Sequence, residues 1–266
     1  MMLRPEHISV NTLKNIRKLT QKKYRQRANS FIIEGKKIVE EALNSNWEIE
    51  TIVATKEFID NRANDSLNGT IKRTHVSFFE IAPNELDTIT EAESAQGIAA
   101  IVKMKFPDIN KSKLFEKQKA TVVILDRVTD PGNLGTIIRT CDWFGVDAII
   151  SSKNSVELYN PKVIRSTMGA IFHLPIFCEV ELEEFLDRMK SHQFKIITTV
   201  LKGESVNSIS FPQKVAFMFG SESHGISKSF LDASDVKLTI PKFGEIESLN
   251  VSVACGIVLA FRTLIK

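Results

Sequence analysis

Cysteine is scarce in this sequence, and the scarcity removes two classes of protein at once. The three present, Cys141, Cys178 and Cys255, are far apart, odd in number and set among apolar residues. That pattern builds neither a disulfide framework nor a zinc site. A reducing compartment is the expected home, with no metal. Long hydrophobic runs are missing as well. No stretch approaches the roughly eighteen consecutive apolar residues of a membrane helix. The opening residues, MMLRPEHISVNTLKNIRKL, lack the apolar core of a secretory signal. These absences describe a cytoplasmic protein with no membrane partner. Repeats and low-complexity segments are absent too.

One further absence is local. No acidic residue lies between Lys14 and Arg27, where Lys14, Arg17, Lys18, Lys22, Lys23, Arg25 and Arg27 crowd around Tyr24. The whole chain has a net charge of only +3, so the charge is concentrated rather than general. A solvated helix face is the plain explanation of such a run. Lysine and arginine also gain affinity by displacing counterions from a phosphate backbone. The crowding and the interleaved tyrosine favour nucleic acid, with these seven cations as candidate contacts.

What is present suffices for one large domain or two modest ones: 266 residues, 43% hydrophobic and 25% charged, with ample apolar content for real cores. Residues 1–104 read as an α/β unit. A basic helix runs through Lys14–Gln26, followed by a strand at Phe31–Gly35, the helix KKIVEEALN, and strands at Ile49–Thr55 and Gly97–Met104. Residues 105–120, polar and carrying Pro107, read as a linker. From Thr121 to the end, strands and helices alternate. The strands are TVVILD, Asp147–Ser152, Leu174–Phe177, Phe194–Val200, Lys214–Gly220 and Asp235–Pro241. The helices are expected at Leu134–Phe144, Pro161–Ala170, Leu182–Ser191, Ser227–Ala233 and Val251–Leu264. Short apolar strands separated by helices indicate a parallel sheet covered on both faces. Ligands of such sheets sit beyond the carboxyl ends of the strands.

Three loops stand at those ends. LDRVTDPGNLGTIIR (Leu125–Arg139) has a strand–turn–helix layout but lacks G-x-G-x-x-G, and no acidic residue ends the next strand. A dinucleotide site is therefore a weak reading. Asn133 could be the helix N-cap. Arg139, on an otherwise apolar face with Ile137, Ile138 and Cys141, needs an anion or an outward course. FMFGSESHGIS carries Gly220, Glu222 and Gly225. A carboxylate at the end of a buried strand is a better functional candidate than one on a surface helix, and His224 reads as exposed. IPKFGEIESLNVSVACGIVLAFR places Ser248 and Asn250 at the start of an almost wholly apolar helix, where backbone N–H groups lack partners. One cap accounts for either residue, not readily for both.

No single loop is specific, but their order is. Asn133-x-Gly135-x-x-x-Arg139, then Gly220-x-Glu222-x-x-Gly225, then the run from Ile240 through Gly244 and Ser248 to Asn250 resembles the three signature motifs of the SpoU (TrmH) family of RNA ribose 2′-O-methyltransferases, within the SPOUT class. The likeness covers residues 121–266 and includes RSTMGAIFHLPIF (Arg165–Phe177). In the N-terminal part, FIIEGKKIVEEAL and SAQGIAAIV resemble the ribosomal-protein-like substrate-binding domain of many members. Lys242 departs from the family pattern, standing where an apolar residue is usual.

The resemblance implies a parallel-sheet SPOUT catalytic domain (121–266) with a deep C-terminal trefoil knot, plus a smaller N-terminal α/β RNA-binding domain. It implies S-adenosylmethionine as cofactor and a homodimer with sites at its interface. The cofactor pocket would use Thr199, Leu201, Gly203, Gly220, Ile240 and Leu249, mostly through backbone groups. The catalytic side chains would be Asn133, Arg139, Glu222, Ser248 and Asn250. The reaction is attack of a ribose 2′-hydroxyl on a sulfonium methyl, so the protein mainly aligns the groups and removes a proton. A guanidinium is a poor base at neutral pH. Either Arg139 anchors phosphate and stabilises a developing alkoxide, or a neighbouring phosphate helps it accept the proton. Glu222 and Asn250 would orient Arg139 and its loop. The N-terminal domain favours ribosomal RNA by analogy. The alternatives are the same chemistry on tRNA and a non-catalytic RNA-binding protein. An antibiotic-resistance role has no support in the sequence.

Overall fold

The computed structural model describes residues 5–74, 76–90, 96–221 and 225–264. In chain order the first part holds β1 (Glu6–His7), α1 (Val10–Lys18), α2 (Lys22–Ala28), β2 (Ser30–Glu34), α3 (Lys36–Leu43), β3 (Ile49–Thr55), α4 (Lys56–Asp60), α5 (Asp65–Arg73), β4 (Ser77–Ile81), α6 (Pro83–Leu86) and β5 (Ile98–Lys103). There follow β6 (Ala120–Asp126), α7 (Pro131–Trp143), β7 (Ala148–Ser152), α8 (Pro161–Thr167), β8 (Ile176–Val180), α9 (Leu182–Ser191), β9 (Lys195–Ser205), β10 (Lys214–Gly220), α10 (Lys228–Ala233), β11 (Val236–Thr239) and α11 (Val251–Leu264). Two compact units result. One is Met1–Lys105 with Tyr159–Phe172, the other Phe106–Leu158 with His173–Lys266.

The first unit is a mixed sheet in the order β1-β4-β3-β5-β2, with β5 antiparallel to both neighbours. Phe31, Ile33, Ile52, Val53, Ala99 and Val102 are buried at its centre. The expected basic helix over Lys14–Gln26 is in fact two helices, α1 and α2. Arg25 accounts for the break. It is only 3% exposed, and its Nη1 donates to the carbonyls of Leu19 and Thr20 at 3.0 and 2.7 Å. It satisfies the orphan carbonyls at the end of α1. Expected as an RNA contact, Arg25 is instead an internal brace.

The segment Tyr159–Phe172 is held in this unit by aromatic packing. The Tyr159 hydroxyl accepts from the Lys105 N–H at 2.8 Å and donates to the Lys105 carbonyl at 2.5 Å. Its ring lies 4.7 Å from that of Phe31, and Trp47 meets both Tyr159 and Phe172 edge-on. Aromatic pairs of this kind add about 0.5–1.5 kcal/mol each beyond area burial.

The second unit is a six-stranded sheet in the order β11-β9-β10-β6-β7-β8, every neighbouring pair parallel. Val122, Ile124, Ile150, Ile196 and Met218 face Leu182, Phe185, Leu186 and Met189 of α9 in one buried cluster. In α7, Leu134, Ile137, Ile138 and Cys141 fall at i, i+3, i+4 and i+7 and are buried, the stripe expected of an amphipathic helix. Each such aliphatic side chain contributes about 1.5–3 kcal/mol on burial. The helix packs against α11, where the Cys141 and Cys255 thiols meet. Burial, first, and the neighbouring thiol push the Cys141 thiol well above its ordinary range. No helix among the described residues is long and apolar enough to cross a membrane.

One irregularity matters for the site. Lys237 of β11 pairs with Thr198 of β9, yet the next residue, Leu238, pairs with Glu204. The intervening Thr199–Gly203 is left out of that ladder, at the carboxyl end of the sheet. Gly203 passes so close to β11 that a Cβ there would stand 2.3 Å from the Lys237 carbonyl oxygen.

Candidate active site

The carboxyl edge of the second sheet collects the loops expected to carry chemistry. Asp130, not Asn133, caps α7: its side chain accepts from the Asn133 N–H at 2.7 Å, with Pro131 at the first helical position as in many helix starts. Asn133 is thereby released from capping and sits in the first turn. At the start of α11, Asn250 is the cap. Its Oδ1 accepts from the backbone N–H and hydroxyl of Ser252 at 2.8 and 2.6 Å, and its carbonyl accepts from the Ala254 N–H at 2.9 Å. The Asn250 amide then turns the other way, and Nδ2 donates to Oδ1 of Asn133 at 2.9 Å. The first and third loops are joined by that bond.

Arg139 lies on the exposed side of α7 with Thr136 and Trp143, so its course is outward, away from the apolar stripe. Ser248 is exposed. Glu222 lies outside the described residues. Among the described residues the structure thus brings Asn133 and Asn250 together and leaves the Arg139 side chain open to solvent. Of the candidate cofactor residues, Thr199 donates from its hydroxyl to the Met218 carbonyl at 3.0 Å, and the Leu201 carbonyl accepts from the Thr239 hydroxyl at 3.1 Å. Leu201 and Leu249 are exposed and Ile240 half-buried. At Gly220 a Cβ would stand 2.5 Å from the backbone of Gly225, so the chain can fold back only over a glycine. Backbone groups withheld from the ladder at Thr199–Gly203, beside apolar side chains, fit a ligand with an adenine ring and amino-acid ends.

Two residues missed by the sequence reading brace this edge. Asp126 ends β6 at 2% exposure. Its carbonyl accepts from the Ser221 N–H at 3.0 Å. Its carboxylate accepts from the N–H and hydroxyl of Ser227, both at 3.0 Å. Arg127 forks onto the same carboxylate at 3.0 and 3.2 Å while its backbone takes the left-handed region, φ 54°, a conformation that costs a non-glycine residue of order 1 kcal/mol. The signal available in the sequence was a charged pair directly after an apolar strand.

On the basic segment, Lys14, Arg17, Lys22, Lys23 and Arg27 are exposed and Lys18 half-buried. The ammonium groups of Lys18 and Lys23 stand 6.0 and 5.9 Å from the Tyr24 ring centre.

Known proteins resemble this chain in sequence and fold. Residues 120–260 match the SpoU rRNA methylase family model, and residues 11–100 match the MRM3-like substrate-binding domain. The chain belongs to the SpoU rRNA methylase family. A Bacillus subtilis relative, the 23S rRNA (guanosine(2553)-2′-O)-methyltransferase RlmP, is 34% identical over 93% of this chain and 94% of its own length. Among solved structures, an AdoMet-bound rRNA methyltransferase from Sinorhizobium meliloti is 30% identical with a TM-score of 0.83, over 98% of both chains. The SpoU methyltransferase AviRb from Streptomyces viridochromogenes, 23% identical with a TM-score of 0.84 over 96% of this chain and 98% of its own, shares the fold. The mixed α/β organisation with a parallel catalytic sheet is therefore the SpoU fold, as the resemblance implied.

Proposed function

We propose that this SpoU-family chain methylates a ribose in 23S rRNA, acting as a cytoplasmic homodimer. It is an S-adenosylmethionine-dependent RNA 2′-O-ribose methyltransferase. Ribosomal rather than transfer RNA is supported by the substrate activity named for the Bacillus relative and by the N-terminal substrate-binding match. Lys14, Arg17, Lys18, Lys22, Lys23 and Arg27 supply the phosphate contacts, and the second unit, with the trefoil knot of its family, supplies the chemistry.

The observation that carries the reading is the bond between Asn133 and Asn250 at the carboxyl edge of a parallel sheet, beside an exposed arginine. When bound, S-adenosylmethionine supplies a methyl group activated by positive sulfur. Thr199, Leu201, Gly203, Gly220, Ile240 and Leu249 hold it, chiefly through the backbone groups outside the ladder. Arg139, free to fork, binds a substrate phosphate or developing alkoxide. Asn133 and Asn250 fix the floor against which the ribose is placed, and Ser248 and Glu222 complete the polar set. Placement of the nucleophile accounts for most of the acceleration.

The dimer reading rests on apolar surface. Trp143 on α7 is 83% exposed, and Val253 and Leu264 on α11 are 50% and 73% exposed. A second copy would cover these neighbouring helices. The decisive experiment is transfer of tritiated methyl from S-adenosylmethionine to separated rRNA and tRNA pools, with mapping of the modified ribose in 23S rRNA. Label in tRNA alone would overturn the rRNA assignment. Cofactor binding without transfer to any RNA would leave a non-catalytic RNA-binding protein.

A further inference from the structure

The bond between the two asparagines has a direction, and Ser252 sets it. An amide side chain offers an oxygen that accepts and a nitrogen that donates, and which end points where is decided by neighbours of fixed polarity. At Asn250 the fixed neighbour is the Ser252 backbone N–H, which can only donate and lies 2.8 Å from Oδ1. The Ser252 hydroxyl adds a second donation at 2.6 Å, and the Val253 N–H a longer one at 3.4 Å. Ser252 is itself buried, 8% exposed, so its hydroxyl is held on that oxygen. With its oxygen committed to the helix start, Asn250 can present only its nitrogen to Asn133. Oδ1 of Asn133 must therefore be the acceptor, at 2.9 Å, and the amide nitrogen of Asn133 is directed away from Asn250.

We infer that Ser252 is a positioning residue for methyl transfer: through Asn250 it fixes the amide polarity of Asn133, making Asn133 a hydrogen-bond donor at the reaction site. The consequence for chemistry is specific. A donor there stabilises an oxygen that gains negative charge, such as the ribose 2′-oxygen as it loses its proton, or a phosphate oxygen beside it. It does not take up a proton. The inference rests on the reading that Asn133 works in the active site.

Asn250→Asp separates the two jobs of Asn250. A carboxylate keeps both acceptances from Ser252 and is favoured at a helix N-terminus, so α11 stays capped. It has no donor for Asn133, so the bond through which Ser252 and Asn250 set the polarity of that amide is lost. The expected result is an unchanged or higher melting temperature, a cofactor Kd within about twofold of wild type and a kcat lower by on the order of a hundredfold, the loss typical of a misplaced catalytic group. Ser252→Ala keeps the backbone N–H and loses the hydroxyl, so kcat falls by less than in Asn250→Asp. Ser252→Thr restores the hydroxyl and recovers it. Wild-type kcat in Asn250→Asp would overturn the inference, as would a fall in kcat matched by a fall in melting temperature. Asn133→Ala with wild-type kcat would instead overturn the underlying reading of Asn133, an outcome distinguishable because Asn250→Asp leaves Asn133 in place.

Discussion

Asn133 and Asn250 stand 117 positions apart in the chain, yet one hydrogen bond of 2.9 Å joins their side chains. The helices that carry them, α7 and α11, begin at different strands of one sheet and converge at their N-terminal ends. Single replacements by alanine should therefore be strongly non-additive. Asn133→Ala and Asn250→Ala each lower kcat, and the double variant is little worse than the poorer single. Asn250→Ala also loses its cap, a stability cost of about 1 kcal/mol that Asn133→Ala escapes because Asp130 caps α7. A double-mutant cycle on methyl transfer, run beside thermal melts, reads both. Additive losses in kcat would separate the two residues functionally.

Arg139 is exposed on the outer side of α7, away from the buried stripe. Arg139→Lys should leave stability within about 0.5 kcal/mol of wild type. It should lower kcat by on the order of a hundredfold, the usual cost of one lost donor to developing charge. The charge survives in lysine but the planar fork does not. Near-normal turnover in this variant would remove any role that requires a guanidinium.

Gly203→Ala would drive a methyl group to 2.3 Å from the Lys237 carbonyl oxygen. The clash is with backbone, so β9 and β11 must part. The expected loss is about 1–3 kcal/mol of stability, as for other overpacked sites, together with weaker S-adenosylmethionine binding in calorimetry. Unchanged affinity would place the cofactor away from Thr199–Gly203.

The basic segment divides into two behaviours. Alanine at Lys22, Lys23 or Arg27 should weaken RNA binding and flatten its salt dependence by about one unit of slope per lost phosphate contact. Arg25→Ala should instead lower the melting temperature, because it strips a donor from the buried carbonyl of Leu19. Filter binding across a salt series distinguishes them. A salt slope altered by Arg25→Ala at unchanged stability would contradict the internal role.

Apolar surface on α7 and α11 predicts the assembly. Light scattering should return the mass of two chains for wild type, and one for Trp143→Glu combined with Val253→Glu. A monomeric wild type would remove the homodimer from the proposal.

Much of this was legible because buried parallel strands write themselves as apolar runs. TVVILD and KVAFMFG lie side by side in register as β6 and β10. Other features were hidden for physical reasons. The break between α1 and α2 carries no glycine or proline, since Leu19, Thr20 and Gln21 turn there under the hydrogen bonds of Arg25, five and six positions on, a residue that reads as surface charge. Asn133 was ambiguous as a cap, although Pro131 already pointed one residue back to Asp130. The bracing role of Asp126 was hidden, because its partners Ser221 and Ser227 lie about a hundred positions away.

The placement of Tyr159–Phe172 bears on how such a protein can be recombined. The chain leaves the first unit after Lys105, returns for these residues and leaves again. A single cut near residue 105 would therefore separate Phe31 and Trp47 from Tyr159 and Phe172, uncovering their rings. Exchange of the first unit between relatives takes three crossovers, with Tyr159–Phe172 travelling as cargo. A lineage that altered its target would have to change both stretches in step.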